Sequence, residues 1–285
     1  MRPSASGTAM GNMVDSRACA GKADYTTGYL CWPDLQTGNT SLKLSILMPA
    51  YNEGATVGIA VKRVLDIRYP CDIEVVIVND GSVDNTSEVL ASIDDPRVVI
   101  AEHRVNRGKG AAVRTAASLA TGDYLLIFDA DLEYSAEDIL GLLAPVSRGD
   151  AEVVYGVRKF GASTAHSFWF VIGNRVNTFT ANALFNTWIS DLHTCLKLLP
   201  MALFRELPVT ENRFGLDTEL TALMLARGVR PYEVPITYKA RSREEGKKLT
   251  WGDGVVATKI LIRVRLQKAI ADRRSRLRGA VKRQP

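Results

Sequence analysis

A chain of 285 residues, 46% hydrophobic and 24% charged, has apolar material for one sizeable core and too little charge bias for a disordered polymer. No apolar run reaches the roughly 20 residues that span a bilayer. Cys19, Cys31, Cys71 and Cys195 show neither a C-x-x-C pair nor zinc-ligand spacing, which excludes a zinc module and predicts reduced thiols in a cytoplasmic protein. The first residues lack a charged segment followed by an apolar one, so no secretory signal is expected. A net charge of +5 favours an anionic partner, whether nucleotide phosphates, an acidic membrane surface or nucleic acid, without choosing among them.

Residues 1–40 are rich in Gly, Ser, Thr and Ala without periodicity and read as a mobile N-terminal extension. Four apolar runs follow, at Leu44–Met48, Ile73–Val78, Val98–Ala101 and Tyr124–Phe128, each bounded by polar residues or glycine, as buried strands are. Between them lie helix-length segments at Ala55–Asp66, Thr86–Ile93 and Gly110–Ala120. This alternation predicts an α/β fold, a mostly parallel sheet with helices on both faces. A second half continues with a strand at Val153–Val157, an apolar helix at Phe168–Ile189, a helix at Leu216–Ala226 and a strand near Tyr232–Val234. An amphipathic helix at Val255–Ala271 and a basic tail close the chain.

Ligands of parallel sheets gather beyond the carboxyl ends of the strands. Here those positions are polar: Tyr51-Asn52-Glu53, Asn79-Asp80-Gly81-Ser82 and Asp129-Ala130-Asp131. Two carboxylates at i and i+2 point to opposite faces of a strand, yet reach one cation if the chain turns there. Mg²⁺ and Mn²⁺ favour such oxygen ligands, share them with a diphosphate and neutralise its charge as it leaves. Glu133 offers a third oxygen, and Ser135 with Asp138 resembles a capping box opening the next helix. Arg107-Gly108-Lys109-Gly110, basic and glycine-rich ahead of a helix, suits a phosphate. Neither G-x-x-x-x-G-K-[ST] nor a G-x-G-x-x-G after the first strand is present, which removes support for a P-loop NTPase or a dinucleotide-dependent dehydrogenase. Each short motif also suits a solvated turn or a helix start.

Taken in order, Pro49-Ala50-Tyr51-Asn52-Glu53, Asn79-Asp80-Gly81-Ser82, Asn106-Arg107-Gly108-Lys109-Gly110 and Asp129-Ala130-Asp131 resemble the nucleotide-binding half of family 2 glycosyltransferases. The resemblance implies a GT-A fold over residues 41–255, an inverting reaction and a divalent metal. It places Pro49, Tyr51, Glu53 and Asp80 at the nucleoside of the donor, with Asp129 and Asp131 at the metal and diphosphate. Farther on, Gly156-Val157-Arg158, Asn174-Arg175-Val176-Asn177, Asp191-Leu192-His193-Thr194, Val234-Pro235-Ile236 and the run from Arg241 to Lys248 are similar to the branch that glycosylates dolichyl or polyprenyl phosphate. That branch implies Arg158 and Arg175 at the acceptor phosphate, and a loop closing over the donor diphosphate through Arg241, Lys247 and Lys248. The chain departs from many relatives at Glu133, where they have Gln, and at Cys195-Leu196-Lys197, where they read Ser-Gly-Phe-Arg.

A phosphate oxygen is already an anion near neutral pH and needs no base, whereas a hydroxyl acceptor does. Asp191, Asp217 and Glu219 are the candidate bases for a hydroxyl, although acids in the first turn of a helix are also ordinary surface chemistry. His193 reads as a structural histidine, and His103 and His166 carry no supporting pattern. Residues 256–285 join an amphipathic helix, including Ile260, Ile262 and Leu266 with Lys259 and Lys268, to a tail bearing Arg273, Arg274, Arg276 and Arg278. This suits peripheral attachment to an anionic inner membrane face, though a frayed solvated tail is the plain alternative. No aromatic platform accompanies these charges, so nucleic acid is not expected. Rival readings are the same fold acting on a hydroxyl or thiol, a non-catalytic nucleotide-sugar or membrane-surface module, and a nucleotidyltransferase.

Overall fold

The computed structural model describes residues 42–158, 168–240 and 251–281. Strands β1 (Lys43–Ala50), β2 (Asp72–Asn79), β3 (Val98–Glu102) and β4 (Tyr124–Ile127) alternate with helices α1 (Val57–Leu65), α2 (Thr86–Ala91) and α3 (Lys109–Leu119). They lie within one or two residues of the expected runs. Then come α4 (Asp138–Ser147), β5 (Val154–Arg158), α5 (Phe168–Phe185), β6 (Lys197–Pro200), α6 (Met201–Glu206), α7 (Leu216–Ala226), β7 (Tyr232–Ile236) and α8 (Trp251–Val281). The seven strands form one sheet in the order β3-β2-β1-β4-β6-β5-β7. All pairings are parallel except those of β6, which runs antiparallel to both β4 and β5.

The core strands are apolar on both faces because helices cover both. Ile46, Leu47 and Met48 of β1 and Val75 to Val78 of β2 are fully buried. α1 turns Val57, Ala60, Val61 and Val64 inward, the i, i+3, i+4, i+7 stripe of a surface helix. A second apolar cluster joins α5, α7 and α8 through Ala181, Ala222, Leu225, Ile260, Leu261 and Val264. α8 is longer than expected: the helix continues through the basic tail as far as Val281, in place of a frayed end. The expected capping box does not form. Asp138 accepts the backbone N–H of Thr237 at 2.7 Å, and Ser135 turns to Glu137.

Because β1 continues to β2 on one side and pairs with β4 on the other, the chain reverses its winding between β1 and β4. Such a switch point leaves a crevice at the carboxyl ends. At the opposite end of these three strands sits buried Glu74. Its carboxylate accepts from the Ser45 hydroxyl (2.6 Å), from Thr121 N–H and Oγ1 (2.6 and 2.9 Å) and from Gly122 N–H (3.2 Å), with Lys43 Nζ at 2.9 Å.

Burial by itself raises the pKa of Glu74. Hydrogen bonds from Ser45, Lys43 and Thr121 outweigh it and lower the group from its usual 4.5 to about 2. A depressed folded-state value means that the stabilisation is complete above about pH 4.5 and is lost as pH falls toward 2. Thermal unfolding across that window is expected to show the melting temperature falling with acid. Glu74→Gln should lower the neutral-pH plateau and flatten the acid limb; an unaltered limb in the variant would show that this cluster is not its source.

Candidate functional site

The carboxyl-end loops of β1 and β2 are laced together. Asn52, in a left-handed conformation at φ 52°, donates its N–H to Ser82 Oγ (2.9 Å) and accepts the N–H of Val83 on its side-chain oxygen (2.9 Å). Glu53 N–H donates to Thr86 Oγ1 (2.9 Å), and buried Glu53 accepts the Thr56 hydroxyl at 2.7 Å. Pro49 and Tyr51 flank this junction, both half-buried. These contacts gather the β1 and β2 members of the expected donor set at one edge of the sheet.

Asp80 has a different task from the expected one. Its carboxylate is buried and accepts the backbone N–H groups of Arg107 (2.9 Å) and Gly108 (2.7 Å), with His103 Nδ1 at 2.6 Å. Asp80 therefore pins the glycine-rich loop, with oxygens already engaged where a base or ribose was expected. His103, which carried no supporting pattern in the sequence, is part of this arrangement. It ends β3's carboxyl side and bridges Asp80 to Thr115 Oγ1 (2.9 Å), and its position after a strand was the available signal. Gly108 sits at φ 96°, a region that favours glycine, and a Cβ there would lie 2.3 Å from the carbonyl oxygen of Asn212.

From that loop Lys109 reaches Asp129. Its buried ammonium lies 2.8 Å from Asp129 Oδ2, 3.4 Å from Asp217 Oδ2 and 3.4 Å from Cys195 Sγ. Burial alone would lower its pKa; Asp129 and Asp217 outweigh that and hold it well above its ordinary value. Asp217 also meets Lys197 Nζ at 3.4 Å. Lys197, fully buried in β6, donates to the carbonyls of Thr194 and Leu192 and lies 5.0 Å from the Tyr155 ring centroid. It too was missed as a site residue, although it stands where the chain departs from its relatives.

After Asp129, Leu132 takes φ 61° and Asp131 Oδ1 accepts the N–H of Glu133 (3.0 Å), so the chain does turn as two convergent carboxylates require. Glu133 departs from the expected metal set: its Oε2 accepts the hydroxyl of Tyr238 at 2.6 Å, beside the tilted Tyr134–Tyr238 ring pair. Among the described residues no group of three or more His, Cys, Asp or Glu is arranged to hold a metal. What fits a hard divalent ion is the pair Asp129 and Asp131, with Lys109 taking one oxygen of Asp129. Such an ion keeps its remaining positions for phosphate oxygens and water.

The acceptor set and the candidate bases are rearranged more strongly. Arg158 and Asp191, both buried, form a two-pronged pair at 2.6 and 2.7 Å, and the guanidinium lies 5.0 Å from the Tyr238 ring centroid. Arg158 thus spends two of its donors inside the protein. Asp191 is held by Arg158, by Asn174 (3.3 Å) and by the N–H of His193 (3.2 Å). Burial would raise its pKa; the Arg158 charge reverses this and takes it down to about 2. His193, half-buried with Nδ1 2.7 Å from Asn174 Oδ1, is lowered to about 4, chiefly by loss of solvent around its ring. Asp217, opposed by burial, is nevertheless lowered by Lys109 and Lys197. Glu219 accepts the N–H groups of Thr210 and Glu211, the Thr210 hydroxyl and Arg263. Neither Asp217 nor Glu219 is a solvated first-turn acid; both are buried. Arg175, by contrast, lies exposed on α5. Arg241, Lys247 and Lys248 lie outside the described residues, as do His166 and residues 1–40.

Residues 45–207, more than half of the chain, match the glycosyl transferase family 2 model. The chain belongs to that family. A relative of this family 2 glycosyltransferase, Glycosyltransferase AglJ of Haloferax volcanii, is 28% identical over 200 residues, 69% of this chain and 63% of AglJ. The chain therefore spans less than two thirds of that relative's length. A dodecaprenyl-phosphate galacturonate synthase of Rhizobium johnstonii is 31% identical over 124 residues, 42% of this chain and 37% of that protein. In structure, the chain is similar to glucosyl-3-phosphoglycerate synthase from Mycobacterium tuberculosis, solved with Mn²⁺, UDP and phosphoglyceric acid. The TM-score is 0.61 at 16% identity, covering 80% of this chain and 78% of that one, and the shared fold is GT-A.

The buried Arg158–Asp191 pair separates a structural from a catalytic role. Asp191→Asn leaves a guanidinium uncompensated in the interior, which costs about 3–5 kcal/mol. Chemical denaturation of the variant is expected to show a loss of that order; wild-type stability with reduced turnover would instead restore Asp191 as a base.

Proposed function

We propose that this family 2 glycosyltransferase passes a sugar from a UDP- or GDP-sugar to the phosphate of a polyprenyl or dolichyl phosphate at a membrane surface, with inversion at the anomeric carbon. One observation supports the phosphate acceptor above the others. All three acids that were candidates to deprotonate a hydroxyl are bound by cations in the interior. A phosphate oxygen needs no such base. The dodecaprenyl-phosphate relative points the same way.

On the donor side, Pro49, Tyr51 and Glu53 are assigned to the nucleoside and Lys109 to the diphosphate, and Asp129 and Asp131 would hold Mg²⁺ or Mn²⁺. That ion would neutralise the charge developing on the departing nucleoside diphosphate. The run containing Arg241, Lys247 and Lys248 keeps the clamping role that the family resemblance implies. Arg175 is the acceptor-phosphate residue of this reading, with Arg158 behind it as part of the wall.

The exposed face of α5 supports the lipid. Ile172, Arg175, Val176 and Phe179 lie at i, i+3, i+4 and i+7 on one side, with Phe179 70% exposed. α8 packs beside it through Asn177 and Gly254 and presents Val255, Lys259, Ile262, Leu266 and Ile270 outward. Apolar side chains mixed with cations suit an anionic lipid surface, each cation contributing about 1 kcal/mol near it. No helix among the described residues is long and apolar enough to cross a membrane.

Two measurements test this reading. With radiolabelled UDP- and GDP-sugars and polyprenyl phosphate, a sugar-lipid product is expected that EDTA abolishes and Mn²⁺ restores, and Asp131→Ala should slow the reaction about 100-fold or more. Transfer only to a water-soluble hydroxyl acceptor would favour the rival acceptor, and full activity of Asp131→Ala would remove the metal. In sedimentation with anionic vesicles, Phe179→Glu and Leu266→Glu should each release the protein; unchanged binding of both would move the lipid face elsewhere.

A further inference from the structure

The segment between α6 and α7 presses directly on the glycine-rich loop ahead of α3. Ala111 N–H donates to the carbonyl of Asn212 at 3.1 Å, and Arg114 donates to the carbonyl of Glu211 at 2.6 Å and to the side chain of Asn212. The backbones approach so closely that a Cβ on Gly110 would lie 2.1 Å from the Glu211 carbonyl oxygen. Wherever residues 210–213 move, Arg107–Gly110 must follow or lose these contacts.

The same segment is held from its other side by α7 and α8. Glu219 Oε2 accepts the N–H groups of Thr210 and Glu211, both at 2.7 Å. Its Oε1 accepts the Thr210 hydroxyl at 2.8 Å and Arg263 Nη2 at 2.8 Å, and that nitrogen also lies 3.0 Å from Glu211 Oε1. The Glu219 side chain is 4% exposed, so its charge depends on these four donors. Arg263 comes from α8, more than 40 residues beyond Glu219 in sequence.

We infer that Glu219 and Arg263 are positioning residues for donor binding: they set residues 210–213 as the backing of the Arg107–Gly110 loop, and so make the C-terminal helix part of the nucleotide site. The inference rests on the reading of that loop as the diphosphate-binding one. Neither side chain reaches the reacting atoms. They act by fixing where Lys109 and the first turn of α3 stand, which governs how tightly a diphosphate is held before any bond breaks.

The test uses the full chain and the nucleotides UDP and GDP with Mn²⁺, by calorimetric titration, together with donor KM and kcat. Arg263→Met is expected to raise the nucleotide Kd and the donor KM about tenfold with kcat within about twofold, and Arg263→Lys to recover part of the loss. Arg265→Met is the control, since Arg265 ties α8 to the carbonyl of Leu184 at 2.8 Å and makes no contact with residues 210–213. It should leave donor KM unchanged. Equal losses in Arg263→Met and Arg265→Met would mean that mere attachment of α8 is at work and would overturn the inference, as would wild-type nucleotide affinity in Arg263→Met. Should Arg263→Met fail to fold, Glu211→Gln removes one of the two negative charges that hold the same guanidinium and is expected to raise Kd about threefold; no change there overturns the inference. A wild-type protein that binds neither nucleotide would instead remove the donor reading itself, and the inference with it.

Discussion

Lys109 leaves the first turn of α3 and ends between Asp129 from the end of β4 and Asp217 from α7, with Lys197 of β6 on the far side of Asp217. Four charges thus alternate in sign through the interior. Lys197 is fully buried and Asp217 nearly so, and removing either leaves a neighbour without its counter-charge where little water can replace it, which is far more costly than losing a surface pair. Asp129, 21% exposed, is the open end of the series. The arrangement constrains where the glycine-rich loop can stand relative to the Asp129–Asp131 turn. It also joins the nucleotide-binding strands to the second half of the chain, which supplies Asp217 and Lys197.

The same logic recurs at Arg158–Asp191 and at Glu219–Arg263. Acids that look available along the chain are each matched by a cation from a distant element. The consequence for chemistry is a site whose wall is electrically settled and whose reactive charges come from its ligands: a diphosphate, a divalent ion and, on the proposed reading, an acceptor that arrives as an anion. On the proposed reading, an acceptor that arrives as an anion asks nothing of these three acids, each of which the folded chain pairs with a cation.

Much of this architecture was readable in advance, for physical reasons. β1, β2 and β4 are buried and therefore appear as unbroken apolar runs, whereas β3, expected to be buried as well, is the edge strand and leaves Val99 and Ile100 exposed. The polar residues after β1, β2 and β4 mark the crevice. Leu216–Ala226 was found at its observed limits because its ends carry clear punctuation. β6 was not found: it is four residues long, and a lysine opens it, an unlikely strand residue until Tyr155, Asp217 and two carbonyls are folded around it. The roles of Asp80, Arg158, Asp191 and Glu219 were hidden because the imidazole or opposite charge that each one meets lies 23 to 44 residues away. A motif names the residue type needed at a position; only the packed chain says whether its charge faces a ligand or another side chain.

The Glu74 cluster at the far end of β1, β2 and β4 bears on a difficulty peculiar to such strands. Segments like Ile46-Leu47-Met48 and Val75-Val76-Ile77-Val78 are greasy on every side, so sliding one past its neighbour by a residue would expose nothing and offend no hydrophobic pattern. A single carboxylate that needs Ser45, Thr121 and Gly122 at once admits one alignment only. Mis-threaded sheets would strand that charge in the interior, and the folding chain would have reason to let go and try again.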